Sequence, residues 1–194
     1  MKLKEYTVRE FRSIWDSGTV KVDSQTTCLV GKNEAGKTTL LTALYRTNPI
    51  IPADAAFDET YDYPKREVED YRFAVENGER DEAVVVECLY ELDAEDTEAV
   101  TSVFGPKVLS GETFTRETYY GKAQSRSLLT ADEAAARKHL ADNRALPDEL
   151  KTALTEATDW DAFAAALDAA EATEAVMALK ELVAGEVVNS EEAS

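Results

Sequence analysis

Residues 31–38 combine two glycines, a lysine and a threonine at a spacing typical of phosphate-binding loops. The sequence there is GKNEAGKT, so four residues separate Gly31 from Gly36, and Lys37 and Thr38 follow directly. Glycines let a short loop curl with its amide N–H groups pointing inward, which forms a cradle for anionic oxygens. A helix that begins where such a loop ends adds unpaired N–H groups and the positive end of its dipole.

The side chains after the second glycine have distinct expected roles at a nucleotide. Lys37 would reach the β- and γ-phosphates, and Thr38 would offer its hydroxyl to Mg²⁺, a hard ion that prefers oxygen ligands. Thr39 would hydrogen-bond the α-phosphate. A plain glycine turn does not explain a lysine at a helix start, where the dipole disfavours cations. The pattern therefore predicts a site for a nucleotide, such as ATP, and magnesium.

The flanking sequence predicts the strand and the helix that such a loop needs. Residues 26–30, TTCLV, form an apolar and partly β-branched run that predicts a buried strand. A helix is expected from Lys37 through TTLLTALYR. It should end before Asn48, because the residue before a proline disfavours the helical conformation.

The rest of the first 128 residues predicts further strands with few helices. Residues 49–64 contain three prolines and predict a long loop. The predicted strands are 3–9, 19–23, 82–92 and 113–121, and the predicted helices are 66–76 and one after Asp93. We therefore expect an α/β lobe over 1–128.

From residue 129 the composition becomes rich in alanine and predicts helices. Thr130 and Glu133 have the spacing of a capping box. Asp159 should cap a longer helix with apolar residues on one face. We expect a helical extension or the start of a helical arm over 129–185, and a frayed tail over 186–194.

Charge and residue usage limit the other classes of function. The formal net charge of −18 repels nucleic acid on average. No stretch approaches the ~20 apolar residues that span a bilayer, and the N-terminus lacks the apolar region of a secretory signal, so we expect a cytoplasmic protein without membrane contact. Cys28 and Cys88 lie in apolar runs and should be buried and reduced. His139, the one histidine, should be solvated on a helix.

Two stretches of the sequence resemble motifs of a known family. YTVREFRS, followed at a distance by LVGKNEAGKTTLLTALY, resembles the N-terminal lobe of the RecF/SMC/OLD branch of ABC-type ATPases. The Asn33-Glu34-Ala35 version of the loop is similar to that of OLD-like (overcoming lysogenization defect) ATPases. The resemblance implies a P-loop NTPase lobe with mixed and antiparallel sheet followed by an α-helical extension. It also implies that Asn33 faces the γ-phosphate side and that Arg12, in the FRS stretch, contacts nucleotide.

Several motifs of that branch have no counterpart in these 194 residues. We find no signature motif, no switch histidine and no clear Walker B strand. Glu87 is a weak candidate for the Walker B acid because its run fits an antiparallel sheet better, and Gln124 is a weak candidate for the Q-loop. The sequence therefore predicts part of an ATPase head that needs a second lobe or a homodimer partner to hydrolyse ATP.

The pathway and two rival functions stay open at this point. The resemblance suggests DNA repair or phage defence, so nucleic acid is a possible partner by analogy alone. A GTPase would need an Asn-Lys-x-Asp motif, which is absent. A non-hydrolysing nucleotide-binding interaction module and a small P-loop kinase, with a lid formed by YPKREVEDYR, are the alternatives.

Overall fold

A computed structural model describes residues 1–121 and 125–191, so Gln124 lies outside the described residues. The described chain divides into two compact units. The first comprises residues 1–93 with 113–129, and the second comprises residues 94–112 with 130–194.

The first unit is built on an antiparallel sheet. Its strands are β1 (Lys2–Phe11), β2 (Ile14–Asp16), β3 (Val20–Lys21), β4 (Val84–Glu91) and the larger parts of β5 (Leu109–Tyr119) and β6 (Ser125–Ala131). The order is β2-β1-β4-β5-β6, and β3 pairs with β1. The pairs that β1 forms with β2, β3 and β4, and the pair of β4 with β5, are antiparallel. The α/β fold class is confirmed; β6 is a strand that the sequence did not predict.

Three helices and a short 3₁₀ turn accompany this sheet. They are α1 (Lys37–Thr47), the 3₁₀ turn Pro52–Ala55, α2 (Glu59–Asp62) and α3 (Val68–Glu76). The predicted helix at Lys37 is confirmed, and so is its end before Asn48. The segment predicted as a long loop contains the 3₁₀ turn and α2, because Asp58 accepts hydrogen bonds from the amides of Thr60 and Tyr61 and thereby starts a helical turn.

Aromatic side chains fill the core of the first unit. Tyr63 stacks on Tyr71 with ring centroids 4.2 Å apart, and Phe57 and Tyr120 pack edge to face beside them. The hydroxyl of Tyr120 donates to the carbonyl of Glu10. Burial therefore leaves this polar atom satisfied, and the bond joins the residue after β5 to β1.

The predicted buried strand at 26–30 is wrong. These residues form no strand, and Val30 is 94% exposed. Cys28 is exposed as well, against the prediction that it is buried, whereas Cys88 on β4 is buried as predicted. Burial of an apolar run requires neighbouring strands on both sides, and the described part of the chain supplies none here.

The second unit contains α4 (Ala94–Phe104), α5 (Glu133–Asp142), α6 (Asp148–Glu156), α7 (Trp160–Asp168) and α8 (Glu174–Glu191). Its core holds Leu140, Leu154, Phe163, Leu167 and Leu179, all fully buried.

Three predictions about the helices of the second unit need correction, and one is confirmed. Asp132 rather than Thr130 caps α5, because its carboxylate accepts the amide of Ala135. The helix capped by Asp159 ends at Asp168, and α8 is separate and extends through Glu191 into the predicted frayed tail. The cap at Asp159 itself is confirmed.

His139 is half-buried rather than solvated. It packs against Gly105, where an added Cβ would lie 2.6 Å from the imidazole Cγ. Gly105 has a φ of +101°, so this glycine meets both a conformational and a spatial requirement.

Candidate nucleotide-binding site

The glycine-rich loop contains two residues with left-handed backbone conformations. Gly36 has a φ of +83° and stands immediately before α1, while Glu34 has a φ of +69°. The amide of Ala35 donates to the carbonyl of Lys32 across the intervening turn, at 3.2 Å. Alternation of right- and left-handed residues turns successive amides toward one side of a loop, which is the geometry of an anion-binding nest.

The first turn of α1 presents donors that protein groups do not use. The amides of Lys37, Thr38 and Thr39 donate to no group in the described part of the chain, and Gly36 provides no side-chain cap. The first turn also lacks acidic residues. Unpaired amides at the positive end of a helix dipole favour an anion, so this end of α1 fits phosphate.

The ammonium group of Lys37 closes the loop. Its Nζ donates to the carbonyl of Gly31 at 2.8 Å and to the carbonyl of Lys32 at 2.6 Å. A Cβ added at Gly31 would lie 3.6 Å from the Cβ of Ala35, so the two ends of the loop are close together. The positive charge is thus held at the loop by acceptors that water can replace, since residues 31–35 are exposed.

The predicted metal ligand is placed on the same turn. Thr38 is exposed, and its hydroxyl has no hydrogen-bond partner among the residues described. A free hydroxyl is a suitable oxygen ligand for Mg²⁺, which takes few protein ligands and fills its other positions with phosphate oxygens and water. Among the described residues, no group of three His, Cys, Asp or Glu side chains forms a separate metal site.

The turn after β1 lies against the loop. A Cβ added at Gly36 would be 3.6 Å from Ile14 Cγ1 and 3.9 Å from Ser13 Oγ. Arg12 immediately precedes these residues and has a φ of +53°. Ser13 and Ile14 are thus the residues of this turn that lie at the loop, while Asn33, Glu34 and Ala35 lie exposed within it.

The side chain of Arg12 is engaged by a residue that sequence reasoning missed. Its Nε donates to Oδ1 of Asp62 at 3.0 Å, and its Nη2 lies 2.9 Å from the same oxygen as an ion pair. Arg46, on the last turn of α1, donates to the other carboxylate oxygen of Asp62. No local signal marks Asp62, because its contact with Arg12 spans fifty residues of sequence.

The weaker sequence candidates occupy structural positions. The carboxylate of Glu87 pairs with Nη1 of Arg9 at 3.2 Å, and β4 lies between two antiparallel neighbours. Arg72 lies on α3 between Glu59 and Glu76, at 3.9 Å from each. Neither arrangement resembles a catalytic acid or a mobile lid.

Comparisons with known proteins identify the family. A search of the curated proteins found no match. In the described part of the chain, no helix has the length and apolar character needed to cross a membrane. The family model described as "AAA ATPase domain" matches residues 1–156, which include the glycine-rich loop, α1 and the antiparallel sheet. The chain therefore belongs to the AAA ATPase domain family.

Proposed function

We propose that this chain binds ATP with Mg²⁺ and forms part of an ATPase head of the OLD/RecF/SMC type. The observation that carries the proposal is the loop geometry: left-handed Gly36, unpaired amides on the first turn of α1, and the Lys37 ammonium at the loop carbonyls. In this assignment the amides of the loop and of α1 hold the phosphates. Lys37 neutralises phosphate charge, Thr38 ligates the metal, and Thr39 bonds the α-phosphate.

Residues 26–30 pair with no strand in the described part of the chain, which supports the need for a second lobe. The backbone of Cys28, Leu29 and Val30 makes no hydrogen bond with any described residue, although the side chains are apolar or β-branched. Such a segment gains both hydrogen bonds and burial when another strand pairs with it. A second lobe that supplies this strand would also bring the missing catalytic acid, whereas a second copy of the chain would supply pairing alone.

Binding without turnover is the expected behaviour of the isolated chain. Glu87, the weak candidate for the water-activating acid, is instead committed to an ion pair with Arg9. Phosphoryl transfer depends on positioning and electrostatic stabilisation of the transition state, and the residues assigned here to the phosphates and the metal include no water-activating acid. A role in DNA repair or phage defence, with nucleic acid as a partner, rests on the resemblance of the FRS and GKNEAGKTT stretches.

The test is ATP binding measured by calorimetry with and without Mg²⁺. Wild-type protein should bind ATP more tightly when Mg²⁺ is present, and Thr38→Val should lose that enhancement because it removes the hydroxyl but keeps the shape. Thr42→Val is the matched control, since its hydroxyl bonds to the carbonyl of Thr38 one turn further along. Absence of ATP binding by the folded wild type would refute the proposal. Rapid turnover by the purified chain would refute the need for a second lobe.

A further inference from the structure

Strand β6 lies at one edge of the sheet. The strand order ends with β6, and β5 is its one neighbour in the described part of the chain. Arg116 on β5 donates from Nη2 to Oγ of Ser125 at 2.9 Å on that inner side. Outside the ladder of the sheet itself, the backbone of residues 125–131 forms no hydrogen bond with another described residue. An edge strand presents a row of unpaired amide and carbonyl groups on its outer side, so β6 offers a template for a further strand.

The sequence of β6 lacks the devices that usually protect such an edge. Edge strands are kept from pairing by shortness, proline, bulges or charged side chains. β6 has seven residues, SRSLLTA, without proline, and Arg126 is its one charged residue. All seven are exposed, including Leu128 at 40% and Leu129 at 39%. The opposite edge differs, because β2 has three residues and one of them is the exposed Asp16.

The distribution of charge favours a second copy of this chain as the partner of β6. The chain has 39 acidic residues in 194 and a formal net charge of −18, so most of its surface repels another copy. Residues 118–131, which include the whole of β6, contain no aspartate or glutamate. Two copies can therefore approach each other through β6 without bringing carboxylates of this strand together.

The residues of β6 are also complementary to themselves in an antiparallel pair. A two-fold axis at Leu128 sets this leucine opposite its own copy and sets Arg126 opposite Thr130. Residues directly opposite each other point to the same face of a sheet, so the two leucines meet and no like charges do. Asp132 follows Thr130 by two positions, so each copy brings a carboxylate toward the arginine end of the other strand.

We propose that β6 is a dimerisation strand, through which two copies of this chain pair antiparallel across a two-fold axis at Leu128. The interface is isologous, since the same strand serves in both copies, and it joins the two sheets through main-chain hydrogen bonds. It requires no nucleotide in the glycine-rich loop and so goes beyond the proposed function. It is also distinct from the pairing of residues 26–30 with a second lobe.

The experiment measures the oligomeric state of the full chain by sedimentation equilibrium without nucleotide, with a thermal melt of each variant. Wild-type protein should form a dimer. Leu128→Glu and Leu128→Lys should each raise the Kd of the dimer about tenfold or more, because each change removes an apolar contact and sets like charges opposite each other. An equimolar mixture of the two variants should recover the dimer, since opposite charges then face each other.

Two control variants test whether the effect belongs to β6. Leu41→Glu is the matched control, because Leu41 is a leucine of α1 that is 53% exposed. Val30→Glu changes the other segment that pairs with no described strand. Both should leave the Kd of the dimer unchanged. Amide hydrogen exchange of wild-type β6 should slow as the protein concentration rises through this Kd, and this measurement applies even if a Leu128 variant does not fold.

The outcomes separate this inference from the proposed function. A monomeric wild type would overturn it, as would a dimer that persists in both Leu128 variants, fails to return in their mixture, or forms only with Mg-ATP. A dimer lost in Leu41→Glu or Val30→Glu would place the interface elsewhere and would also overturn it. Unchanged ATP binding in Lys37→Ala would instead overturn the proposed phosphate site and leave the assignment of β6 intact.

Discussion

Lys37→Ala should reduce nucleotide affinity strongly and stability very little. The ammonium donates to two carbonyls, those of Gly31 and Lys32, in an exposed loop. Water replaces a lost donor at an exposed carbonyl, so we expect the free energy of unfolding to fall by under about 1 kcal/mol. At bound phosphate the same ammonium makes charge-assisted contacts, whose loss costs about 1.5–3 kcal/mol. That cost corresponds to a rise of about 10- to 150-fold in the Kd for Mg-ATP.

Lys32→Ala is the matched control for this change. Lys32 lies in the same exposed loop, and its backbone carbonyl remains available to Lys37 after the substitution. Removal of its charge should weaken ATP binding by no more than about threefold, because exposed charges are screened by solvent and salt. Calorimetry and thermal melts of the three proteins give both quantities.

Two results would contradict the reasoning behind this prediction. Equal ATP affinity in wild type and Lys37→Ala would show that the loop does not hold the phosphates. An equally large loss in Lys32→Ala would show that bulk positive charge, rather than the placement of one ammonium, governs binding.

Three further predictions concern stability, each measured by equilibrium unfolding. Gly105→Ala should destabilise the protein by about 1–3 kcal/mol more than Gly78→Ala; both glycines have positive φ, but an added Cβ meets the His139 ring in the first case and nothing within 4 Å in the second. Phe163→Ala should cost about 3–5 kcal/mol because the ring is fully buried, and a loss below 1 kcal/mol would contradict the helical core. Burial and a hydrogen bond to a neighbouring carboxylate raise the pKa of Tyr119 to about 12, so stability should fall as the pH rises from about 10 to 12; an equally steep fall in Tyr119→Phe would contradict this assignment.

The features that sequence predicted well depend on neighbouring residues. The loop, the start of α1 at Lys37 and the cap at Asp159 are each set by chemistry within about five positions, namely glycine conformations and side-chain caps. The sequence did not identify the capping residue where two neighbouring side chains could each cap the same helix. Thr130 and Asp132 could both cap α5, and the aspartate prevails because its carboxylate accepts the amide of Ala135.

The features that sequence reasoning missed depend on distant or absent partners. The contacts of Asp62 with Arg12 and Arg46 join three separate parts of the chain. The periodicity of apolar residues in a sequence carries no information about such contacts. The run at 26–30 has the composition of a buried strand, yet composition describes what a segment can bury and not whether a neighbour is present. The break between α7 and α8 falls in a stretch, 169–173, without glycine or proline, so the usual signals of a helix end are missing there.

The glycine-rich loop is anchored on one side only. On its C-terminal side, α1 is held by the buried Ala43 and by the contact of Arg46 with Asp62. On its N-terminal side, residues 26–30 are mostly exposed, and 28–30 form no backbone hydrogen bonds within the described chain. A binding loop that is held at both ends loses less conformational freedom when its ligand binds, so its affinity for the ligand is higher. Pairing of 26–30 with a strand of a second lobe should therefore raise ATP affinity before any catalytic residue is added. Titration of ATP with and without such a lobe would measure this effect, and an unchanged Kd would show that the N-terminal side of the loop needs no partner.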